Sequence, residues 1–369
     1  MKILALDFSP TQKEYSLTHM LLRKLADGMV SAGANVEIVK VSKTENNVDP
    51  CVGCLQCWTV TLGECKTIKD HMSKGLFQKW KNADLVVYAT PIYNQFMTAA
   101  MKSFIERLQP AGDIGNFRGK SKAKYPDTVL LATATYYGKE EFSFLSQYMH
   151  GYYAEEKNTQ IIAELFRPQV KVLGTNYFPK FKNRVLNAFE TAGNELVKHG
   201  SVSSETMHNL TCDLTDQERF NKLLLLINRS IIKNNMTTKV FMKRQPPLDI
   251  TSIDNFVILS DLLLENAYFP EGALRNFLFQ LNFPEGSCNV TVGIDGISVN
   301  NGSSNDPNVL VNTSLEKWMS IMRGETNFKE VFAQQNINII AKNDADQHYF
   351  IGLMSTIVPQ KPTNQSVSA

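Results

Sequence analysis

A chain of 369 residues exceeds what a single hydrophobic core usually serves, so two domains are expected. Apolar residues at 43% and charged residues at 20% are ordinary globular values and exclude a fibrous or wholly disordered chain. The 38 basic and 36 acidic residues are dispersed and leave a formal charge of +2, which argues against a nucleic-acid partner or an anionic membrane surface.

The N-terminal MKILALDFSP carries one lysine and a short apolar run before Asp7, the pattern of a first β-strand rather than an export signal, and the expected location is cytoplasmic. A polar loop, SPTQKEYSLT, follows. From Thr18 the residues Leu21, Leu22, Leu25 and Met29 recur at helical spacing, with Gly33 placed as a C-terminal cap. NVEIVKV reads as a second strand and DLVVYAT (84–90) as a third, its unbroken apolar run suiting burial on both faces. MTAAMKSFIERL sets Met97, Met101, Phe104, Ile105 and Leu108 on one helical face; TVLLATA (128–134) and TQIIAELF supply strands four and five. The helix FKNRVLNAFETAGNELVKHG, ending at Gly200, closes this domain. Alternating strands and helices predict an α/β domain over 1–200 with a parallel sheet, and ligands at the carboxyl ends of its strands.

Residues 201–250 change in character and predict a helical linker, with a candidate capping box at Thr215-Asp216-Gln217-Glu218 before RFNKLLLLINRSII. That helix contains LLLLI (223–227), the nearest approach to a membrane span and far short of about 20 residues, so no transmembrane segment is expected. Residues 251–359 then read as an α+β domain: a helix around DLLLENA, a strand FLFQLNF, a glycine-rich hairpin around VGIDGISVNNG, a short VLVNT, the helix LEKWMSIMRG and a strand NINIIAK. Residues 360–369 form a flexible tail.

Chemistry concentrates in the loops after the strands. Ser9, Thr11, Ser16 and Thr18 offer hydroxyls where backbone amides approach a helix N-terminus; the loop suits a phosphate, or it is an ordinary capped βα turn. After strand three, Pro91, Ile92, Tyr93, Asn94 and Phe96 sit where a flat heteroaromatic ring could lie. SPTQKEYSLT, PCVGCLQCW and ATPIYNQFMTAAMKSFIER together resemble the NAD(P)H-dependent FMN reductases of the flavodoxin superfamily, including the iron-sulfur flavoproteins, over roughly residues 1–200.

The resemblance implies a doubly wound sheet of order 2-1-3-4-5, FMN as cofactor, NADH or NADPH as electron donor, and homo-oligomers. By position it implies Ser9, Thr11, Gln12, Ser16, Leu17 and Thr18 at the FMN phosphate, and Pro91, Ile92, Tyr93, Asn94 and Phe96 at the ribityl chain and isoalloxazine. The third loop, ATYYGKEE, adds Thr135, Tyr136 and Gly138; Tyr136 and Tyr137 stand where family members carry glycines, and either stack on the flavin or fill its wall. Thr11 stands where family members often carry arginine.

Four of six cysteines fall together as C-x2-C-x2-C-x7-C: Cys51, Cys54, Cys57 and Cys65. Such clustering points to metal or redox chemistry rather than a disulfide framework, while Cys212 and Cys288 stand alone as ordinary small residues. The spacing resembles that of iron-sulfur flavoproteins, which implies a 4Fe-4S cluster beside FMN. Three cysteines within seven residues crowd a tetrahedral zinc. The other reading is a reduced lid whose turn is shaped by Trp58 and Gly63. His71, beside Asp70, reads as a solvated helix start or as an acid; nicotinamide-to-flavin transfer needs no dedicated protein acid.

The C-terminal stretch from NFPEGSCNVTVG to NINIIAK resembles the sterol carrier protein family of lipid-binding α+β domains. Its signature is a strand, Thr313-Ser314, a helix with Trp318 and Gly324, and a second helix with Phe332. That resemblance implies an apolar tunnel for a lipid, lined by positions such as Phe277, Phe279, Trp318, Met319, Met322 and Phe332; as plain hydrophobes, the same residues are core.

Overall fold

The computed structural model describes residues 1–112, 125–138, 140–154, 159–175, 177–244, 248, 250, 252–265, 269, 272–294, 296–322, 331 and 337–357. Lys139 of the third loop, Gly324, Phe332 and the expected tail lie outside the described residues. The chain divides into two compact units, Met1–Asn176 with Phe181–Leu214, and Tyr177–Lys180 with Thr215–Ala369.

In the first unit the strands are β1 (Lys2–Asp7), β2 (Asn35–Lys40), β3 (Leu85–Pro91), β4 (Asp127–Thr133) and β5 (Ile161–Arg167), all parallel and ordered β2-β1-β3-β4-β5. This is the expected flavodoxin-like α/β sheet. The helices are α1 (Leu17–Ser31), α2 (Gln56–Thr59), α3 (Phe77–Lys81), α4 (Ala99–Glu106), α5 (Ser143–Tyr153), α6 (Val170–Leu173), α7 (Pro179–His199) and α8 (Ser204–Thr211). β3 is buried at every position, as its unbroken apolar run predicts.

Alternate strand residues Leu4, Leu6, Val86, Tyr88, Leu130 and Ala132 pack in one core with Trp80, Phe104 and Met149. Each aliphatic or aromatic side chain buried there contributes about 1.5–3 kcal/mol. The Tyr88 phenol stays inside because it is paired: Trp80 Nε1 donates to it at 2.8 Å and the Tyr153 hydroxyl at 3.2 Å. Burial drives the Tyr88 phenol well above its ordinary range, so it stays neutral.

α1 begins at Ser16, whose Oγ accepts from His19 N at 3.1 Å, and buries Leu21, Leu22, Leu25 and Met29 completely. It crosses α7 at facing glycines. A Cβ on Gly28 would lie 1.8 Å from Glu190 O, and one on Gly193 would lie 2.0 Å from Leu25 O. Only glycine permits that approach, and it fixes the seat of α1 against the sheet. α4 starts two residues later than the apolar periodicity suggests, because Thr98 accepts from Met101 N and caps it; Met97 is buried ahead of the helix.

The second unit contains α9 (Gln217–Lys233), α10 (Thr238–Arg244), α11 (Ile253–Glu265), β6 (Phe277–Phe283), β7 (Gly286–Gly293), β8 (Gly296–Asn301), β9 (Val309–Asn312), α12 (Leu315–Met322), β10 (Asn338–Ala341) and α13 (Asp344–Ile357). Its sheet runs β10-β9-β6-β7-β8, antiparallel except for the central β6–β9 pair. The α+β character is as predicted. Phe277, Phe279, Leu281, Trp318 and Phe350 share one core, with Met319 and Met322 packed at its margin.

Two local details differ from the sequence expectation. The cap of α9 is Asp216, not Thr215: the Asp216 carboxylate accepts from Arg219 N at 3.0 Å and sits well placed at the helix dipole. α13 has no counterpart in the predicted elements; it buries Phe350, Leu353 and Met354 while opening on a polar turn, Asp344 to Gln347, that masks its period.

Candidate functional site

The three loops singled out by sequence leave the carboxyl ends of β1, β3 and β4, which are neighbours in the sheet. The first is held from below by a buried charge network. Asp7 Oδ1 accepts from Ser9 N at 2.9 Å, and Oδ2 lies 3.2 Å from Lys40 Nζ and 3.0 Å from His19 Nδ1. Lys40 Nζ also donates to Ser9 O (2.7 Å) and Thr11 O (2.8 Å). The Lys40 and Asp7 side chains are 2% and 0% exposed, so this pair is desolvated and depends on its partners being complete.

Above it, Ser9 Oγ accepts from Ser16 Oγ at 2.9 Å and from Thr11 N at 3.4 Å, which leaves the Ser9 hydroxyl hydrogen to donate elsewhere. With His19 N capped by Ser16, the amides of Leu17 and Thr18 have no partner among the described residues. The Thr18 hydroxyl is spent on Thr133 Oγ1, 2.7 Å away, and ties α1 to the end of β4. Ser9, Ser16 and Thr18 are buried, Thr11 and Leu17 half-buried, and Gln12 exposed. Two amides, a hydroxyl and a helix N-terminus are the kind of donors that suit an anion.

The second loop is pinned where Ile92 N donates to Thr133 O at 2.8 Å and Tyr93 bridges to Phe96. Between them, Asn94 and Gln95 take left-handed backbone (φ 47° and 63°), turning the tip outward. Pro91 is buried, Ile92 and Phe96 are half-buried, and Tyr93 and Asn94 are exposed; Phe96 packs edge-on against Tyr148. In the third loop Thr135 and Gly138 are half-buried and Tyr136 is 60% exposed, its carbonyl accepting from Gln169 N at 3.0 Å. Gly138 has φ +106°, which a side chain would strain. The exposed rings of Tyr93 and Tyr136 are free to meet a planar ligand.

The four clustered cysteines lie elsewhere in the unit, around one cavity of about 350 Å³ also lined by Val52, Thr67, Glu106, Arg107 and Pro110. Trp58 holds this loop down by donating from Nε1 to Gln109 O at 2.7 Å, and Gly63, at φ +92°, donates to Cys57 O at 2.8 Å. Burial pushes the Cys57 thiol up, and the neighbouring Cys65, Cys51 and Cys54 push it further. The Thr67 hydroxyl, 3.2 Å away, holds the Cys54 thiol below its ordinary range. Among the described residues no three His, Cys, Asp or Glu side chains converge as a ready-made metal site. The donor set nonetheless suits a thiolate-bound centre in kind: four cysteines line one cavity.

Three residues outside the sequence expectations organise these sites. Lys40 supports the first loop. Asp70 and Arg107 form a buried pair at the cysteine loop, with Nη1 to Oδ2 2.6 Å and Nη2 to Oδ1 3.2 Å. His71, which the sequence drew attention to, is exposed, while its neighbour Asp70 is 7% exposed and engaged. The signal available was a carboxylate just after a cysteine cluster and an arginine at the end of an amphipathic helix, and neither announces its partner 37 residues away.

A five-stranded parallel sheet of this order, flanked by helices, defines the first unit as a flavodoxin-like α/β domain. The profile of the NADPH-dependent FMN reductase family matches residues 1–139. Among curated proteins, the chain is 32% identical over 126 residues to an iron-sulfur flavoprotein of Archaeoglobus fulgidus, covering 34% of this chain and 57% of that one. It is 26% identical over 117 residues to an FMN-dependent NADH:quinone oxidoreductase of an Exiguobacterium species, covering 30% and 56%. The chain spans about half the length of the curated relatives it matches. Among solved structures, a UbiJ-SCP2 ubiquinone synthesis protein aligns at 9% identity and TM-score 0.23, covering 28% of this chain and 91% of that one. Among the described residues, no helix is long and apolar enough to cross a membrane.

Proposed function

We propose that this chain is an FMN-dependent oxidoreductase that takes electrons from NADH or NADPH and passes them to a small acceptor, a quinone or another hydrophobic molecule. The observation that carries the reading is the cradle of the first loop: the Leu17 and Thr18 amides, without partners among the described residues, and the Ser9 hydroxyl, set at the N-terminus of α1 over a floor of Asp7, Lys40 and His19. The family profile over residues 1–139 supports it.

In this reading Ser9, Ser16, Leu17 and Thr18 hold the phosphate, with Thr11 and Gln12 at its rim, and Pro91 to Phe96 and Thr135 to Gly138 flank the ribityl chain and ring. Bound FMN would supply the redox chemistry, accepting a hydride from the nicotinamide and releasing electrons to the acceptor. The chain's own contribution is positional: the Tyr93–Phe96 turn and Tyr136 set stacking distance, and the buried Thr18–Thr133 bond keeps the first and third loops in register.

Cys51, Cys54, Cys57 and Cys65 would hold a 4Fe-4S cluster, a reading supported by the shared cavity and by the likeness to iron-sulfur flavoproteins. The second unit would be a sterol-carrier-like lipid module, its mixed sheet and the apolar Phe277, Phe279 and Trp318 suiting an acyl or prenyl ligand. Assembly as a homo-oligomer in the cytoplasm completes the proposal.

Anaerobic addition of NADH or NADPH to the flavin-loaded protein tests the activity. Bleaching of the flavin bands by stoichiometric nucleotide is expected. Flavin that stays oxidised at millimolar nucleotide would make the chain a flavin carrier without a nicotinamide site.

A further inference from the structure

The guanidinium of Arg107 has five N–H donors, and four of them are used. Nη1 serves Asp70 Oδ2 at 2.6 Å and Asp49 O at 3.0 Å; Nη2 serves Asp70 Oδ1 at 3.2 Å and, with its remaining hydrogen, Cys65 Sγ at 3.5 Å. Nε is buried with no partner among the described residues. Three of these bonds suffice to anchor the loop; the fourth is directed at a sulfur in the cavity wall. Arg107 is 1% exposed, so the donor acts in a medium of low dielectric.

We propose that Arg107 is a positioning residue of the four-cysteine site, whose N–H···S bond to Cys65 raises the reduction potential of the cluster that these cysteines hold; the inference rests on the cluster reading above. One other sulfur also receives a donor: Gly53 N points at Cys51 Sγ at 3.4 Å. Donors aimed at sulfur are what thiolate ligands require, and Arg107 is the charged one of the two.

The direction follows from charge. The reduced centre carries one more negative charge than the oxidised one, so a fixed cationic donor favours the reduced form and moves the potential upward. Asp70, whose Oδ1 accepts from the same Nη2 at 3.2 Å, offsets part of that charge and leaves the N–H···S bond itself as the group the test removes. Glu106, which lines the same cavity, is paired with Lys102 at 2.7 Å.

The test uses the full chain purified anaerobically, with iron and flavin quantified and the cluster titrated by EPR. Arg107→Lys keeps the charge but not the fork, and the double variant Asp70→Asn/Arg107→Gln removes both charges together. Both variants are expected to retain iron, to move the cluster midpoint to more negative potential and to leave the flavin midpoint where it was. Wild-type protein grown with 15N-guanidino arginine should show a 15N hyperfine coupling on the reduced cluster, and this readout decides the matter if the variants do not fold. Bound iron with neither the potential shift nor the coupling overturns the role of Arg107 and leaves the cluster intact. Wild type without iron overturns the cluster reading, and this inference with it.

Discussion

The loop after β1 and the loop carrying the four cysteines belong to one unit and solve opposite problems. The first is closed on itself: Asp7, Lys40, Ser9 and Ser16 are buried and bonded to one another, and buried Thr18 is bonded to Thr133. The second is open. Cys51 and Cys54 are exposed, Val52 and Val60 project to solvent at 64% and 71% exposure, and the loop is fastened at a few points, chiefly Asp70–Arg107 and Trp58–Gln109. A loop held by its own buried bonds is finished before any ligand arrives. The four thiols are not tied to one another in that way: among the described residues no three of them converge.

The sharpest way to break the contrast is Lys40→Met, which keeps the stem and removes the ammonium. Asp7 is then buried without its cation, and the carbonyls of Ser9 and Thr11 lose their donor. Chemical denaturation should show the first unit destabilised by about 3–5 kcal/mol, with FMN affinity lost alongside. Adding Asp7→Asn should recover part of the stability and none of the affinity.

A third thiol environment sharpens the comparison by a smaller margin. Cys288 has no exposure, and burial pushes its thiol from 9.0 up to about 12. The unfolded chain releases that proton above pH 9 while the folded unit keeps it, so the stability present below pH 9 declines as pH rises toward 12. Unfolding of the second unit should lose about 2 kcal/mol between roughly pH 9 and 10.5, and Cys288→Ala should flatten that slope. A thiol reagent applied to folded, iron-free protein should label Cys51 and Cys54 long before Cys288. The smallest effect is expected from Tyr136→Ala: losing one exposed stacking ring should weaken FMN by about fivefold, roughly 1 kcal/mol, without changing stability.

The sheet was legible because its signal is local. Each strand of the first unit is a short apolar run, each helix has its own period, and Gly33 and Gly200 sit where helices end. The loops were legible from their place after those strands. The buttresses were not: Lys40 looks like an ordinary strand-end lysine, and its bond to Asp7 spans 33 residues. Likewise Arg107 reads as a helix-end cation and Asp70 as the neighbour of a more eye-catching histidine, because sequence periodicity reports which face a residue occupies and not which charge it will meet. α13 was missed since its polar first turn reads as loop, and its apolar residues join a core whose strands range from the adjacent β10 back to β6.

The central claim is that the first unit binds FMN through its phosphate at the β1 loop. The most direct test is an equilibrium titration of flavin-free protein with FMN and, in parallel, with riboflavin. The account predicts one FMN per chain and riboflavin binding roughly tenfold to a hundredfold weaker, the worth of charge-assisted bonds to the Ser9 hydroxyl and the Leu17 and Thr18 amides. Equal affinity for the two flavins, or no binding of either, would contradict it.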